Sequence, residues 1–136
     1  MKTVFDILDK IYPIVNVAAV RATLDGKVYR TSRPIDSTKR DITVATLHIA
    51  GGTDIDLQGC PVIINCYAKD IAPGIPDDAN LNAMTAAVLT VIEAYNSGSS
   101  AYLHLEPISQ GIMEDIDKSG ISYSSIRLQA TIQFNT

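Results

Sequence analysis

Between residues 126 and 134 the chain alternates without a break. Ile126, Leu128, Ala130, Ile132 and Phe134 fall on one side of an extended strand, and Arg127, Gln129, Thr131 and Gln133 on the other. Successive side chains of a strand point to opposite faces, so this period dictates a strand with one face in a core and one polar, wettable face. That is the habit of an antiparallel sheet. So one-sided a strand needs a cover. Leu81, Met84, Val88, Val91, Ile92 and Tyr95 recur at three-to-four spacing and predict an amphipathic helix over 78–96. Asp77 or Asp78 caps its start, and Asn96-Ser97-Gly98 supplies its stop. The expected fold class is α+β: an antiparallel β-sheet with one long helix packed on a face and a short helical N-terminus.

The remaining segments fit around that pair. Val4, Ile7, Leu8 and Ile11 have helical spacing behind a capping-box-like Thr3/Asp6 start, and Pro13 is expected to break or kink this helix. Asn16 is placed as the cap of a second short helix through Val17, Val20 and Arg21. Asp25-Gly26 is a turn signal. Residues 27–30 read as a short strand, and 31–40, polar and interrupted by Pro34, as a loop. Residues 41–49 are β-rich, with a parity change between Val44 and Leu47 that suggests a bulge, and Gly51-Gly52 closes the segment. Residues 62–67, led in by Pro61, read as a strand buried on both faces. Residues 71–78 form a loop, 101–106 a strand with Tyr102, His104 and Glu106 on one side, and 108–119 an acidic loop. With strands bunched on either side of one long helix, a regular β-α-β fold is disfavoured.

With 136 residues, 46% of them hydrophobic and 19% charged, the chain suits one globular domain over 1–136. No apolar run approaches the length of a membrane span, and Asp6 and Asp9 stand where an export signal needs apolar residues. Cys60 and Cys66 lie about 20 Å apart on an extended strand, too far for a bridge, so reduced thiols and a cytoplasmic setting are expected. Few residues in the sequence are arranged for chemistry. His48 and His104 sit inside strands without an acid–base partner nearby and read as satisfied structural residues. Asp54/Asp56 and Glu114/Asp115/Asp117 are acidic pairs and clusters without a cation-loop pattern. The sequence has no nucleophile elbow, phosphate-binding loop or zinc spacing. The serines around Gly98 read as turn chemistry. No catalytic, cofactor-binding or metal-ligating residue is expected, no cofactor is implied, and the chain is not expected to be an enzyme.

Charge is the feature left over. The net charge is −4, which argues against binding nucleic acid. Residues 1–69 nevertheless carry +2 and residues 70–136 carry −6. Lys27, Arg30, Arg33, Lys39 and Arg40 bunch together. Such a run is either a solvated loop or a docking surface for an acidic partner, including the acidic half of an identical subunit.

Five segments taken together carry a resemblance. They are Lys27-Val28-Tyr29-Arg30 with Arg33-Pro34, then Asp41-Ile42-Thr43-Val44 with Leu47, then Asp56-Leu57-Gln58-Gly59, then Val62-Ile63-Ile64-Asn65-Cys66-Tyr67. In this order the chain resembles the tail-completion (tail-terminator) proteins of long-tailed phages and prophages. The likeness covers residues 1–135 in element order and 27–67 in motif. Cys66 stands where an aliphatic residue is more usual. The resemblance implies a non-enzymatic virion protein: a homo-oligomeric ring, usually a hexamer, that caps the tail tube, ends its polymerisation and offers a surface to the head–tail connector. It implies the tail tube protein and the connector as partners, and residence in the virion tail after assembly in the host cytoplasm. Another small head–tail neck adaptor, or a host α+β binding module or enzyme with a loop-built site, are the alternatives.

Overall fold

The computed structural model describes residues 3–49, 57–98, 103–115 and 120–133. Helix α1 spans Val4–Val15 and α2 spans Ala18–Arg21. Strands β1 (Val28–Arg30), β2 (Asp41–Thr46) and β3 (Leu57–Lys69) follow, then α3 (Asp78–Ser97), β4 (Leu103–Glu114) and β5 (Ile121–Gln133). The five strands form one sheet in the order β1-β2-β3-β5-β4, antiparallel throughout except for the parallel β1–β2 pair. The α+β expectation is met.

One face of the sheet is the core. Ile42, Val44, Cys60, Val62, Ile64, Cys66, Leu103, Leu105, Ile126, Leu128, Ala130 and Ile132 are all buried there. Above them lie Ile7, Leu8, Ile11 and Val15 of α1, Val20 of α2, and Met84, Val88 and Ile92 of α3. The 126–132 alternation and the helical stripe therefore meet as expected, with Val91 and Tyr95 at the margin of the cluster. Phe134, Gly51-Gly52 and Tyr102 lie outside the described residues.

Local chemistry explains the ends. Thr3 Oγ1 accepts from Asp6 N at 3.1 Å, and Thr3 N donates to Asp6 Oδ2 at 2.9 Å, a complete capping box. Asp77 caps α3, and Gly98 ends it.

Several expectations are corrected. Pro13 does not end α1, because only Ile14 and Val15 follow it and Val15 is buried in the core. Asn16 closes α1 instead of opening α2, and its carbonyl and Oδ1 both accept from Arg21 Nη1. Val17 holds the cap position of α2 without a side-chain bond. β2 pairs in continuous register and stops at Thr46, so the parity change marks a strand end and not a bulge.

Strand β3 is longer than 62–67 and one-sided: its even positions from Gln58 to Ala68 are buried and its odd positions from Gly59 to Tyr67 half-covered. Pro61 lies inside it. A residue's N–H and C=O point to the same side of a strand, and Leu47 N donates to Pro61 O at 3.0 Å, so the missing donor faces β2 just beyond its last residue.

Residues 108–114 are strand, not loop, and β5 starts at Ile121 rather than 126. The outer half of β4 is exposed on both faces, so burial leaves no alternation to read. At the start of β5 two buried positions are serines, Ser122 and Ser124, which hide the apolar period. Ser122 Oγ donates to Asp70 Oδ1 at 2.8 Å, and Ser124 Oγ lies 2.7 Å from Thr85 Oγ1.

Candidate functional site

The basic segment lies between two short elements and a buried acid. Asp41 opens β2 with no exposed surface. Its Oδ1 accepts from Lys27 N at 2.9 Å. Its Oδ2 accepts from Ser37 Oγ and lies 3.4 Å from Arg33 Nη1. One carboxylate thus ties the start of β1 and two points of the 31–40 loop to β2. Gly26 is required for this: a Cβ there would stand 1.7 Å from Asp41 Oδ1. The turn signal at Asp25-Gly26 is therefore also a close-packing site, with Gly26 N bonded to Arg40 O at 3.0 Å.

Arg33 extends this hub across the face of the sheet that no helix covers. Its guanidinium carbon sits 3.9 Å from the centroid of the Tyr67 ring, and Nη2 lies 3.7 Å from Asp115. The side chain is only 8% exposed. Tyr67 in turn tilts against Tyr123 with centroids 5.1 Å apart. Burial, with the neighbouring Tyr67 and Asp115 adding to it, pushes the Tyr123 phenol up. A delocalised cation stacked on a ring and shared by two carboxylates is a role that lysine fills poorly.

The other four cations point outward. Arg30 pairs with Asp9 and lies over the Tyr12 ring at 5.7 Å. Arg40 Nη1 is 3.8 Å from Asp25, and its Nε donates to Thr23 O. Lys27 and Lys39 are exposed and form no ion pair among the described residues. The five residues share one region, but they divide into an internal staple, two paired surface cations and two free ones. Arg33-Pro34 in a polar loop ahead of Asp41 is the only hint of the staple in the sequence, and nothing there points to Tyr67.

Beside the staple the uncovered face has a depression of about 480 Å³ lined by Arg33, Ile35, Thr43, Ile63, Asn65 and Tyr67. It is open, and its cation is already held by Asp41 and Asp115. His48 lies beyond the end of β2 and is exposed, not inside a strand as expected, and His104 lies in β4 as expected, exposed and 3.3 Å from Glu106. Asp54, Asp56, Asp117, Ser99 and Ser100 lie outside the described residues. Among the described residues no group of His, Cys, Asp and Glu could hold a metal ion, and no helix is long and apolar enough to cross a membrane. Cys60 and Cys66 are free and buried on the core face of β3. Burial pushes the Cys66 thiol up to about 12, against a weaker opposite pull from a hydrogen bond with Thr85.

No protein-family model and no curated protein matches the chain. Among solved structures, the chain is similar to one in "Virion of native gene transfer agent (GTA) particle", with a TM-score of 0.61 and 14% identity. The likeness covers 91% of this chain and 92% of that one. At that identity it is a likeness of fold.

Proposed function

We propose that the chain is a non-enzymatic virion structural protein that forms a ring on the end of a phage tail tube. The ring ends tube polymerisation and presents the surface to which the head connector joins. Its partners are copies of itself, hexameric by the family resemblance, together with the tube protein and the connector. It works in the virion tail after assembly in the host cytoplasm. The observation that carries this reading is the fold shared along nearly the whole of both chains with a component of a gene transfer agent virion. The tail-completion motifs across 27–67 narrow it to the tube end.

The placement of the cations supports a charged contact made by Lys27 and Lys39, with Arg30 and Arg40 at its margin. Arg33 serves the subunit's own fold and only indirectly the contact. A ring requires one patch to meet a different patch on the next copy, and the division of charge along the chain suits that.

The test is tube length. Tube protein polymerised with the purified chain should give tubes of limited length capped at one end in electron micrographs. Tubes that grow equally long with and without it, and carry no cap, overturn the tube-end reading. If tails of normal length then fail to join heads when the gene is deleted, the neck-adaptor alternative replaces it.

A further inference from the structure

The two edges of the sheet differ in what their backbones offer. In an antiparallel pair, alternate residues turn their N–H and C=O toward the partner and away from it. Leu47 N bonds Pro61 O, so the odd residues of β3 face β2 and the even ones face β5. The partners of those even residues, Ser122 to Ala130 at even positions, face β3, which leaves the odd residues of β5 facing β4. On β4 these meet His104, Glu106, Ser109, Gly111 and Met113, with Ile108 the extra residue of a bulge. Leu105, Pro107, Gln110, Ile112 and Glu114 therefore face out of the sheet.

The inner half of this edge is closed. Leu105 N donates to Asn96 Oδ1 at 3.0 Å, and Leu105 O accepts from Asn96 Nδ2. Pro107 has no donor, and the bulge follows it. The outer half is open: Gln110, Ile112 and Glu114 have no outward backbone partner among the described residues. Ile108, Ile112 and Met113 are each more than half exposed there. Two depressions beside α3 meet at Gln110 and together form a groove along the same stretch, one lined by Asp78, Leu81, Thr85 and Ile112 and the other by Leu89, Glu93 and Ile108. An unpaired edge of this kind, with apolar side chains exposed along it, is a template for another strand.

We infer that the outer half of β4 pairs, antiparallel, with the β1 edge of a second copy, Ile112 opposite Val28 and Gln110 opposite Arg30. This names the contact within the ring proposed above and rests on that reading for its closure, though not for the pairing itself. Three observations select this occupant. The register runs Val28, Ile42, Cys66, Ser124, Ile112 straight across the sheet, so the two edges are level. Val28 and Arg30 are the β1 residues that face outward, since Lys27 O and Thr31 N bond β2. β1 runs opposite to β4, so a copy related by rotation about an axis along the strands brings the edges together antiparallel. The Val28 carbonyl receives the Tyr12 hydroxyl at 2.9 Å and the Arg30 carbonyl receives Ser32 N at 2.8 Å, and each keeps a second lone pair.

Charge agrees with this choice. In this register Glu114 and Asp78 fall toward the end of the next copy that carries Lys27 and Lys39, and Glu93 falls toward its Arg30. Two β4 edges brought together would instead set acid against acid. Helix α1 lies over β1 on the core side, as its Asp9–Arg30 and Tyr12–Val28 bonds require. The neighbour's α1 would then cover the groove that α3 leaves open.

The test is a mixed cross-link. Facing residues of a hydrogen-bonded antiparallel pair have Cα atoms about 5.5 Å apart, within disulfide range. Gln110→Cys protein mixed with Arg30→Cys protein should give a disulfide heterodimer under mild oxidation, and neither variant alone should. The native cysteines are buried and stay out of the reaction. Ile112→Pro removes an outward donor that β5 does not use, so it should fold with unchanged circular dichroism yet fail to associate. A ring that forms without the heterodimer, or that Ile112→Pro leaves intact, overturns the edge pairing while the ring reading stands. Dimers of Gln110→Cys alone, or a wild-type chain that stays monomeric and gives no heterodimer, overturn it as well. Heterodimers and rings that leave tube length unaffected keep the pairing and remove the tube-end function.

Discussion

The two faces of the sheet are held in different ways. The helix-covered face is closed by area: some twenty buried apolar side chains, drawn from all eight elements, share one cluster. The other face carries no helix among the described residues, and one stacked arginine with a buried aspartate pins a loop across it. On the first face many contacts of small individual weight add up. On the second a handful of charge-assisted contacts carry the load, so damage there is concentrated at single residues.

The largest effect is therefore expected on the open face. Asp41→Ala removes the acceptor of Lys27 N, Ser37 Oγ and Arg33 Nη1 together, and breaking such a buried pair costs about 3–5 kcal/mol. Urea unfolding should show that loss. Arg33→Met placed in the Asp41→Ala background should cost much less than it does alone, because the two residues act as a unit. Independent, additive losses would show that the staple is not a unit.

Leu128→Ala probes the covered face. The side chain is fully buried in the core cluster, so the loss should be about 2–5 kcal/mol. A loss below about 0.5 kcal/mol, the range of surface substitutions, would place Leu128 outside the core. Unlike Asp41, it should show no special coupling to any one partner.

How much of each face the sequence exposes follows from the same contrast. The covered face is written in periodicity: 126–132, 103–105 and the 81–95 stripe all repeat at the spacing of their elements. Where a buried position holds a polar residue, as at Ser122 and Ser124, the period vanishes although the strand continues. Where a strand is exposed on both sides, as in residues 108–114, there is nothing to alternate, and backbone pairing alone makes it a strand. The open face is written in no period at all. Arg33, Asp41, Tyr67 and Asp115 come from separate segments, and it takes the β2–β3, β3–β5 and β4–β5 pairings, with the 31–40 loop folded back over them, to bring the four together. The basic bunch at 27–40 was legible as charge; its division into staple, paired and free cations depends on contacts made across the fold.

A smaller effect appears at high pH. Cys66 sits on the covered face, and its thiol is raised by burial from 9.0 to about 12. The unfolded chain therefore loses this proton first as pH rises. The stability associated with the neutral thiol is fully present below about pH 9 and is lost progressively toward pH 12, with a limiting slope of about 1.4 kcal/mol per pH unit. Cys66→Ala should flatten that part of the stability profile. An unchanged slope would mean that the thiol already titrates in the folded state.

The smallest effect on stability belongs to Lys27 and Lys39. Neither forms an ion pair among the described residues, so Lys27→Glu with Lys39→Glu should change stability by less than about 0.5 kcal/mol. Their effect belongs to association, which the double reversal should weaken and added salt should weaken in the unsubstituted protein.

In the assembly we propose, what the subunit leaves open, a half-free strand edge and two cations without an ion pair among the described residues at the opposite edge, is used by the next copy. Native mass spectrometry of the purified chain tests this most directly. The account predicts one closed species at a fixed multiple of 14.6 kDa, lost on Ile112→Pro and weakened by reversal of Lys27 and Lys39. A monomer at every concentration, or an assembly indifferent to both sets of substitutions, would contradict it.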